Sequence, residues 1–237
     1  METDFDVTVS DLTKTCRELF GDETQWIEPE GYRNSIALCI IDSIYSTGSH
    51  YTSVIKVIAK YCAYRRAHGG DPTTDTTDDL LRTFDELGGS AGWAQMVKNV
   101  KPAHTGTGAL LKAEVVRQAA QMLTGLGNST TEQLASTHTE QDAIESLKIA
   151  WQNLPSQSSG ITFNYFLILA GYQSVKPDRM ILKFLADHTD LEVTEMSKAK
   201  VTDLISRVAN AYPTEPRKLD HVIWRFTSGR NVRISNA

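Results

Sequence analysis

Residues 151–185, WQNLPSQSSGITFNYFLILAGYQSVKPDRMILKFL, constrain the fold of this chain more than any other stretch. Leu154-Pro155 opens a turn of small and polar residues that ends at Gly160, the kind of composition that tight reversals need. A nearly unbroken apolar run follows over residues 163–170. It is too short for the roughly 20 residues of a membrane span, so it reads as a buried helix. Gly171 ends that run, and Pro177-Asp178 restarts a helix, with the aspartate placed to cap free backbone N–H groups. The local plan is therefore two helices joined by a short hairpin, then a third helix opened by a carboxylate.

Helical spacing of apolar residues runs through the rest of the chain, and strand-like alternation is hard to find. Val54, Val57, Ile58 and Tyr61 mark a helix over residues 52–66, preceded by one over residues 35–45. Gly69-Gly70-Asp71-Pro72 stops the second of these, and a Thr/Asp-rich loop caps the next helix near Asp78. Further helices are predicted over residues 93–100, 110–123, 139–153, 179–187, 198–212 and 218–227. There is no internal repeat and no long linker. The expected fold class is all-α, with about ten helices.

At 237 residues the chain can bury a sizeable core as one domain or two small lobes. Cys16, Cys39 and Cys62 are odd in number and widely spaced, which fits core thiols in a reducing compartment. The six histidines lack metal-ligand spacing, and there is no Walker loop, G-x-S-x-G, Cys-x-x-Cys or H-E-x-x-H. No metal and no cofactor are expected. The first residues are acidic rather than basic-then-apolar, so a secretory signal is not read there and the expected location is cytoplasmic, nucleoid-associated in a prokaryote. Residues 1–30 hold nine acids against Lys14 and Arg17, a net of −7, which leaves +2 for the rest of a chain whose total is −5. The overall sign argues against a nucleic-acid binder, but local basic patches can still contact phosphates.

The 151–185 segment resembles the helix-hairpin-helix DNA glycosylases, the HhH-GPD or endonuclease III-like superfamily. There a Leu-Pro-Gly-x-Gly hairpin precedes a helix, a glycine and a catalytic aspartate in a Val-Asp-like step. Leu154, Gly171 and Asp178 stand at the matching positions with no gap between them. The similarity runs from about residue 35 to residue 185 and is sharpest in its last third. It implies a two-lobe helix-hairpin-helix glycosylase fold with a cleft between the lobes. Residues 36–172 would form a middle helical lobe ending in the hairpin, and residues 1–35 plus 173–237 the second lobe. The chain departs from the pattern in three ways. Ser156 and Ser158 replace the hairpin glycines, Gly160 stands where bifunctional members carry a Schiff-base lysine, and no cysteine follows Cys62 to hold an iron–sulfur cluster.

By this resemblance Asp178 is the catalytic carboxylate. Cleavage of an N-glycosidic bond builds oxocarbenium character on the sugar, which a nearby carboxylate stabilises. From the residues alone Asp178 reads equally as a helix cap, and the two roles can coexist. Ser156, Gln157, Ser158 and Gly160 are expected at the DNA backbone, since hairpin amides and hydroxyls donate to phosphate. Lys176, Arg179 and Lys183 flank the aspartate as phosphate contacts or solvated charges, with Lys176 a loose alternative nucleophile. Relatives insert a wedge from the loop that corresponds to residues 44–51, which brings in Gly48, His50 and Tyr51; a plain helix–helix loop would look the same. His104 lies in a loop facing the same cleft and reads as a base contact or a surface histidine. Trp151 reads as a base-stacking platform or as core, as do Trp93 and Tyr165. The basic stretch 218–233 reads either as a backbone-contact surface or as an ordinary amphipathic helix.

The expected function is a monofunctional DNA glycosylase that flips out and excises a damaged or modified base, leaving an abasic site. Its partner is double-stranded DNA carrying that base, its expected state a monomer, with no membrane association. Divergence from common repair enzymes extends the expected substrates to a bulky phage-modified cytosine, which would make the protein an antiviral defence factor. The rival class is a helix-hairpin-helix DNA-binding or scaffold protein that has lost the chemistry.

Overall fold

A computed structural model describes residues 2–234, with side chains from residue 5 onward. Glu2 and Asp4, two of the acids of the N-terminal segment, therefore have side chains outside the described set. The described residues form twelve α-helices, two short 3₁₀ turns and no β-strand. The chain divides into two compact units, Gly31–Gly171 and Met1–Glu30 with Tyr172–Ala237.

The Gly31–Gly171 unit is built around α2 (Ile36–Tyr45), every residue of which is buried. Ser35 caps it by accepting the Leu38 N–H. The helices α3 (Tyr51–Ala67), α4 (Thr77–Glu86), α6 (Lys112–Gly125) and α9 (Ile161–Ala170) pack against it, with α5 (Ser90–Met96) on α6. The helices α7 (Thr131–Thr139) and α8 (Gln141–Gln152) complete the unit. Trp93 is the aromatic centre: it stacks on Phe84 at 5.0 Å and tilts against Tyr45 and Tyr61. The chain enters this unit through a close approach that only glycine permits. At Gly31 φ is +62°, and a Cβ would lie 2.4 Å from the Leu169 carbonyl oxygen. That carbonyl accepts the Tyr32 N–H at 2.7 Å.

A buried ion pair fixes α2 relative to α3. Arg65 reaches both oxygens of Asp75 at 2.8 Å, and Tyr61 donates its hydroxyl to the same carboxylate at 2.6 Å. The Asp75 carbonyl in turn accepts the Ala37 N–H and the Ser35 hydroxyl at the start of α2.

The second unit packs α1 (Glu2–Phe20) on α11 (Lys198–Ala211), and α12 (Pro216–Thr227) on α10 (Arg179–His188) and α11. Leu12, Cys16, Phe20, Phe184, Leu185, Leu204, Ile205, Leu219 and Ile223 fill its core. Burial pushes the Cys16 thiol up to about 12, so it is a core thiol rather than a reactive one.

The all-α reading holds, with local corrections. The α1 helix carries Phe5, Val9, Leu12, Cys16 and Phe20 at helical spacing, yet its acidity hides the stripe. The predicted helix 139–153 is α8, and the helix before it, α7, was not expected; Glu140 separates the two, and a capping box of Thr130 with Gln133 announces α7. The predicted helix 93–100 is α5, shifted toward the N-terminus and followed by Lys98 at φ +52°. The α6 helix starts two residues later than expected, because Leu110 pairs back onto Ala103.

Candidate functional site

The hairpin lies between α8 and α9 and is held from inside by a chain of side-chain hydrogen bonds. Trp151 Nε1–H donates to Thr162 Oγ1 at 3.0 Å, and the Thr162 hydroxyl donates to Gln157 Oε1 at 2.6 Å. Gln157 Nε2–H then donates to the Pro155 carbonyl at 3.1 Å. Backbone bonds from Gln157 N–H to Leu154 O and from Gly160 N–H to Gln157 O close the turn. A chain of this kind strengthens each of its members in a low dielectric. Gln157 is 2% exposed and Trp151 fully buried. Gln157, expected at the DNA backbone, and Trp151, expected as a platform or as core, both turn inward here and shape the turn. Trp151 packs on Phe166 at 4.8 Å and on Phe163.

Ser156, Ser158 and Ser159 are exposed at the tip, while Gly160 is a buried left-handed N-cap of α9. Ser156 also sits in the left-handed region, at φ +66°, a conformation that costs a non-glycine residue about 1–2 kcal/mol. The turn thus keeps a glycine-like backbone at the position where the resembled hairpins have glycine. Ser156→Gly is expected to raise stability by about 0.5–1 kcal/mol in urea unfolding, relief of strain outweighing the added freedom of the unfolded chain. Destabilisation instead would mean that the hydroxyl holds the turn.

The loop between α2 and α3 exposes Gly48, at φ +56°, and His50, whose side chain makes no cap to α3. Tyr51 is half-buried. A residue that sequence reasoning missed holds this loop: Lys112, 3% exposed, at the start of α6. Its ammonium donates to the carbonyls of Tyr45 and Thr47 and to Ser49 Oγ. Burial, with Lys101 nearby, lowers its pKa to about 8. Lys112 stands on the same stripe as Val115, Val116 and Ala119, and a charge on a core stripe was the available signal. Beneath the loop, buried Asp42 accepts the Tyr32 hydroxyl at 2.9 Å and is also hydrogen-bonded by Tyr165. Tyr165 therefore belongs to a polar cluster of the unit rather than standing as a free ring. His104 is exposed, its Nδ1 accepting the Gly106 N–H at 2.9 Å.

In the other unit Asp178 caps α10: its Oδ1 accepts the N–H groups of Met180 at 2.8 Å and Ile181 at 3.4 Å. Its Oδ2 lies 3.8 Å from Lys176 Nζ, and the Asp178 side chain is one-fifth exposed. The turn before it is tight, with Asp178 N–H donating to Lys176 O at 2.6 Å. Lys176 N–H donates to Asp220 Oδ1 on α12 at 2.8 Å, so a second carboxyl stands behind the first. Arg179 and Lys183 are exposed on the following helix, and Lys183 pairs with Asp187 at 2.6 Å. The basic stretch 218–233 makes internal contacts: Lys218 pairs with Glu28, Arg230 covers the Trp224 ring and Arg233 reaches Phe20 O. Among the described residues no group of three or more His, Cys, Asp or Glu side chains is arranged to hold a metal ion.

These features define an all-α protein of two compact helical units, in which no described helix is long and apolar enough to cross a membrane. Residues 10–228 match the family described as Domain of unknown function (DUF8548), and the chain belongs to that family. No curated protein and no solved structure matches it.

Proposed function

We propose that this protein is a monofunctional DNA glycosylase of helix-hairpin-helix type, acting on double-stranded DNA that carries a damaged or modified base. The observation that carries the reading is Asp178: a carboxylate at the N-terminus of α10, with one oxygen on helix N–H groups and the other toward an ammonium and partly exposed. Helix N–H groups on one oxygen and the Lys176 side chain toward the other fix the orientation of this carboxyl, the kind of group that stabilises positive charge developing on a sugar. In the reaction the bond from C1′ to the base nitrogen breaks and its electron pair leaves on the base. Asp178 steadies the developing oxocarbenium and orients the water whose oxygen bonds to C1′, and the proton that this water gives up balances the one the departing base nitrogen takes on. The left-handed Ser156 and the inward-facing Gln157 support a phosphate-gripping hairpin, with the exposed Ser158 beside them and Gly160 closing the turn. Gly48, His50 and Tyr51 supply the loop that enters the duplex.

The amine chemistry is expected to be absent. Lys176 Nζ is directed at the Asp178 carboxylate, 3.8 Å away, and no lysine lies in the hairpin between Lys148 and Lys176. The substrates in view run from a damaged base to a bulky modified cytosine of phage DNA, and release of the latter would make the protein a defence factor; the expected state is a cytoplasmic monomer. The capping bonds of Asp178 also suit a helix-hairpin-helix binding protein without catalysis, and the test separates the two.

Base release from unmodified, alkylated, deaminated and phage-hypermodified cytosine DNA, followed by mass spectrometry and alkali cleavage, is expected to yield one free base. Asp178→Asn should lower that rate by about 100-fold or more, the scale of losing a preorganised electrostatic stabiliser. Silence across the panel with DNA binding retained would favour the binding-protein reading. Borohydride should trap no protein–DNA adduct; an adduct that disappears in Lys176→Gln would reverse the monofunctional assignment.

A further inference from the structure

A carboxyl is among the costliest groups to bury, yet α12 places one in its core stripe beside Leu219, Val222 and Ile223. Asp220 is 7% exposed and makes a hydrogen bond to a segment 44 residues away in sequence, the Lys176 amide. We infer that Asp220 is the positioning residue of the Lys176-Pro177-Asp178 turn, acting through the Lys176 backbone to aim the Asp178 carboxylate. The inference deepens the glycosylase reading and rests on it for its consequence in catalysis.

Four hydrogen bonds make the turn a single piece. Asp220 Oδ1 holds Lys176 N–H from below, and Lys176 O accepts Asp178 N–H within the turn. Asp178 Oδ1 then anchors the turn to α10 through Met180 and Ile181. Val175 and Pro177 are buried on either side of Lys176. The start of α12 holds the same segment at a second point, where Arg217 N–H donates to Gln173 Oε1 at 3.4 Å. Loss of the Asp220 acceptor takes this partner from the part-buried Lys176 amide and frees the turn to shift, and a displacement on the order of 1 Å is enough to cost about 100-fold in rate.

An acid suits this position better than a permanently charged group would. Burial, with the Asp178 charge close by, pushes the Asp220 carboxyl up to about 8, so near neutral pH it accepts the amide without setting a second full negative charge beside Asp178. Asparagine keeps the acceptor oxygen and the neutrality, so it is the conservative replacement.

The experiment compares wild type, Asp220→Ala and Asp220→Asn in the full chain, on the DNA panel above and by amide hydrogen exchange at Lys176. Asp220→Ala is expected to lower kcat by about 10–100-fold with KM within about twofold, and to accelerate exchange at Lys176. Asp220→Asn is expected to restore both. Wild-type kcat in Asp220→Ala would overturn the inference, and so would unaltered exchange there. If Asp220→Ala does not fold, the wild type still decides: fast exchange at its Lys176 amide overturns the inference and slow exchange retained in Asp220→Asn supports it. Should wild type release no base from any DNA, the glycosylase reading fails on its own, and the exchange data alone then decide whether Asp220 holds the turn.

Discussion

Asp75→Ala is expected to destabilise the Gly31–Gly171 unit by about 3–5 kcal/mol, the cost of stripping the partner from a buried charge. The Arg65 side chain is 7% exposed and directs two of its N–H groups at Asp75. Removing that carboxylate leaves a guanidinium in the interior with only the 3.2 Å contact to Asp79, whose side chain is 24% exposed. It also leaves the Tyr61 hydroxyl, buried in the same place, without its acceptor. Such a loss differs in kind from loss of a surface pair, worth about 0–1 kcal/mol, because water cannot replace the missing partner. Asp75→Asn keeps an acceptor for Tyr61 and should cost less. The double change Arg65→Met with Asp75→Leu should cost less than Asp75→Ala, since no uncompensated charge remains. The measurement is urea unfolding followed by tryptophan fluorescence, with Trp93 as a reporter 6.2 Å from the Tyr61 ring. A loss under about 1 kcal/mol for Asp75→Ala would show that Asp79 takes over the pairing. The consequence reaches the proposed site, because Asp75 also receives the start of α2, and α2 leads into the loop that carries Gly48 and His50.

The same contrast between spacing and partnership explains what could be read from the chain alone. Helices whose apolar stripe is uninterrupted were legible nearly to the residue: residues 52–66 became α3, Tyr51–Ala67, and residues 179–187 became α10, Arg179–His188. Asp178 was legible as a capping carboxylate because a cap is a local pattern, decided within three residues. What escaped was set by tertiary partners. Gln157 looks like a polar turn residue until Thr162, five residues on, is seen to donate to it. Trp151 has the spacing of either a platform or a core ring, and only its burial decides between them. Lys112 and Asp220 sit on apolar stripes where a charge has no local reason to be. Their partners, Tyr45 O and the Lys176 amide, lie 67 and 44 residues away, beyond any window of periodicity. A charged residue on a core stripe is thus the sequence signal most worth following, since it has to be satisfied by something distant.

Asp220 and His221 are expected to give the second unit an unusual dependence of stability on pH, and Asp220→Asn to remove half of it. Burial raises Asp220 to about 8, with Asp178 adding to the shift and the Lys176 amide and ammonium opposing it. Burial lowers the neighbouring His221 to about 4, with Arg225, Arg217 and Arg230 adding to that shift. For Asp220 the folded state keeps a proton that the unfolded chain releases near pH 4. Its contribution is complete below that value and is lost as pH rises toward 8, at about 1.4 kcal/mol per pH unit. For His221 the unfolded chain binds a proton near pH 6.5 that the folded state refuses, so its contribution is complete above that value and is lost as pH falls toward 4. The two slopes oppose each other between about pH 4 and 6.5 and nearly cancel. From about pH 6.5 to 8 only Asp220 titrates in this way, and wild type should lose about 2 kcal/mol. Asp220→Asn should instead gain stability up to about pH 6.5 and then hold level, so that it exceeds wild type most near pH 8. The check is the difference in urea midpoint between the two proteins at pH 4, 6.5 and 8, in which every group common to both drops out. A difference that does not grow with pH would mean that Asp220 is ionised in the folded protein at neutral pH, and that the Lys176 ammonium, not a retained proton, neutralises the carboxyl behind Asp178.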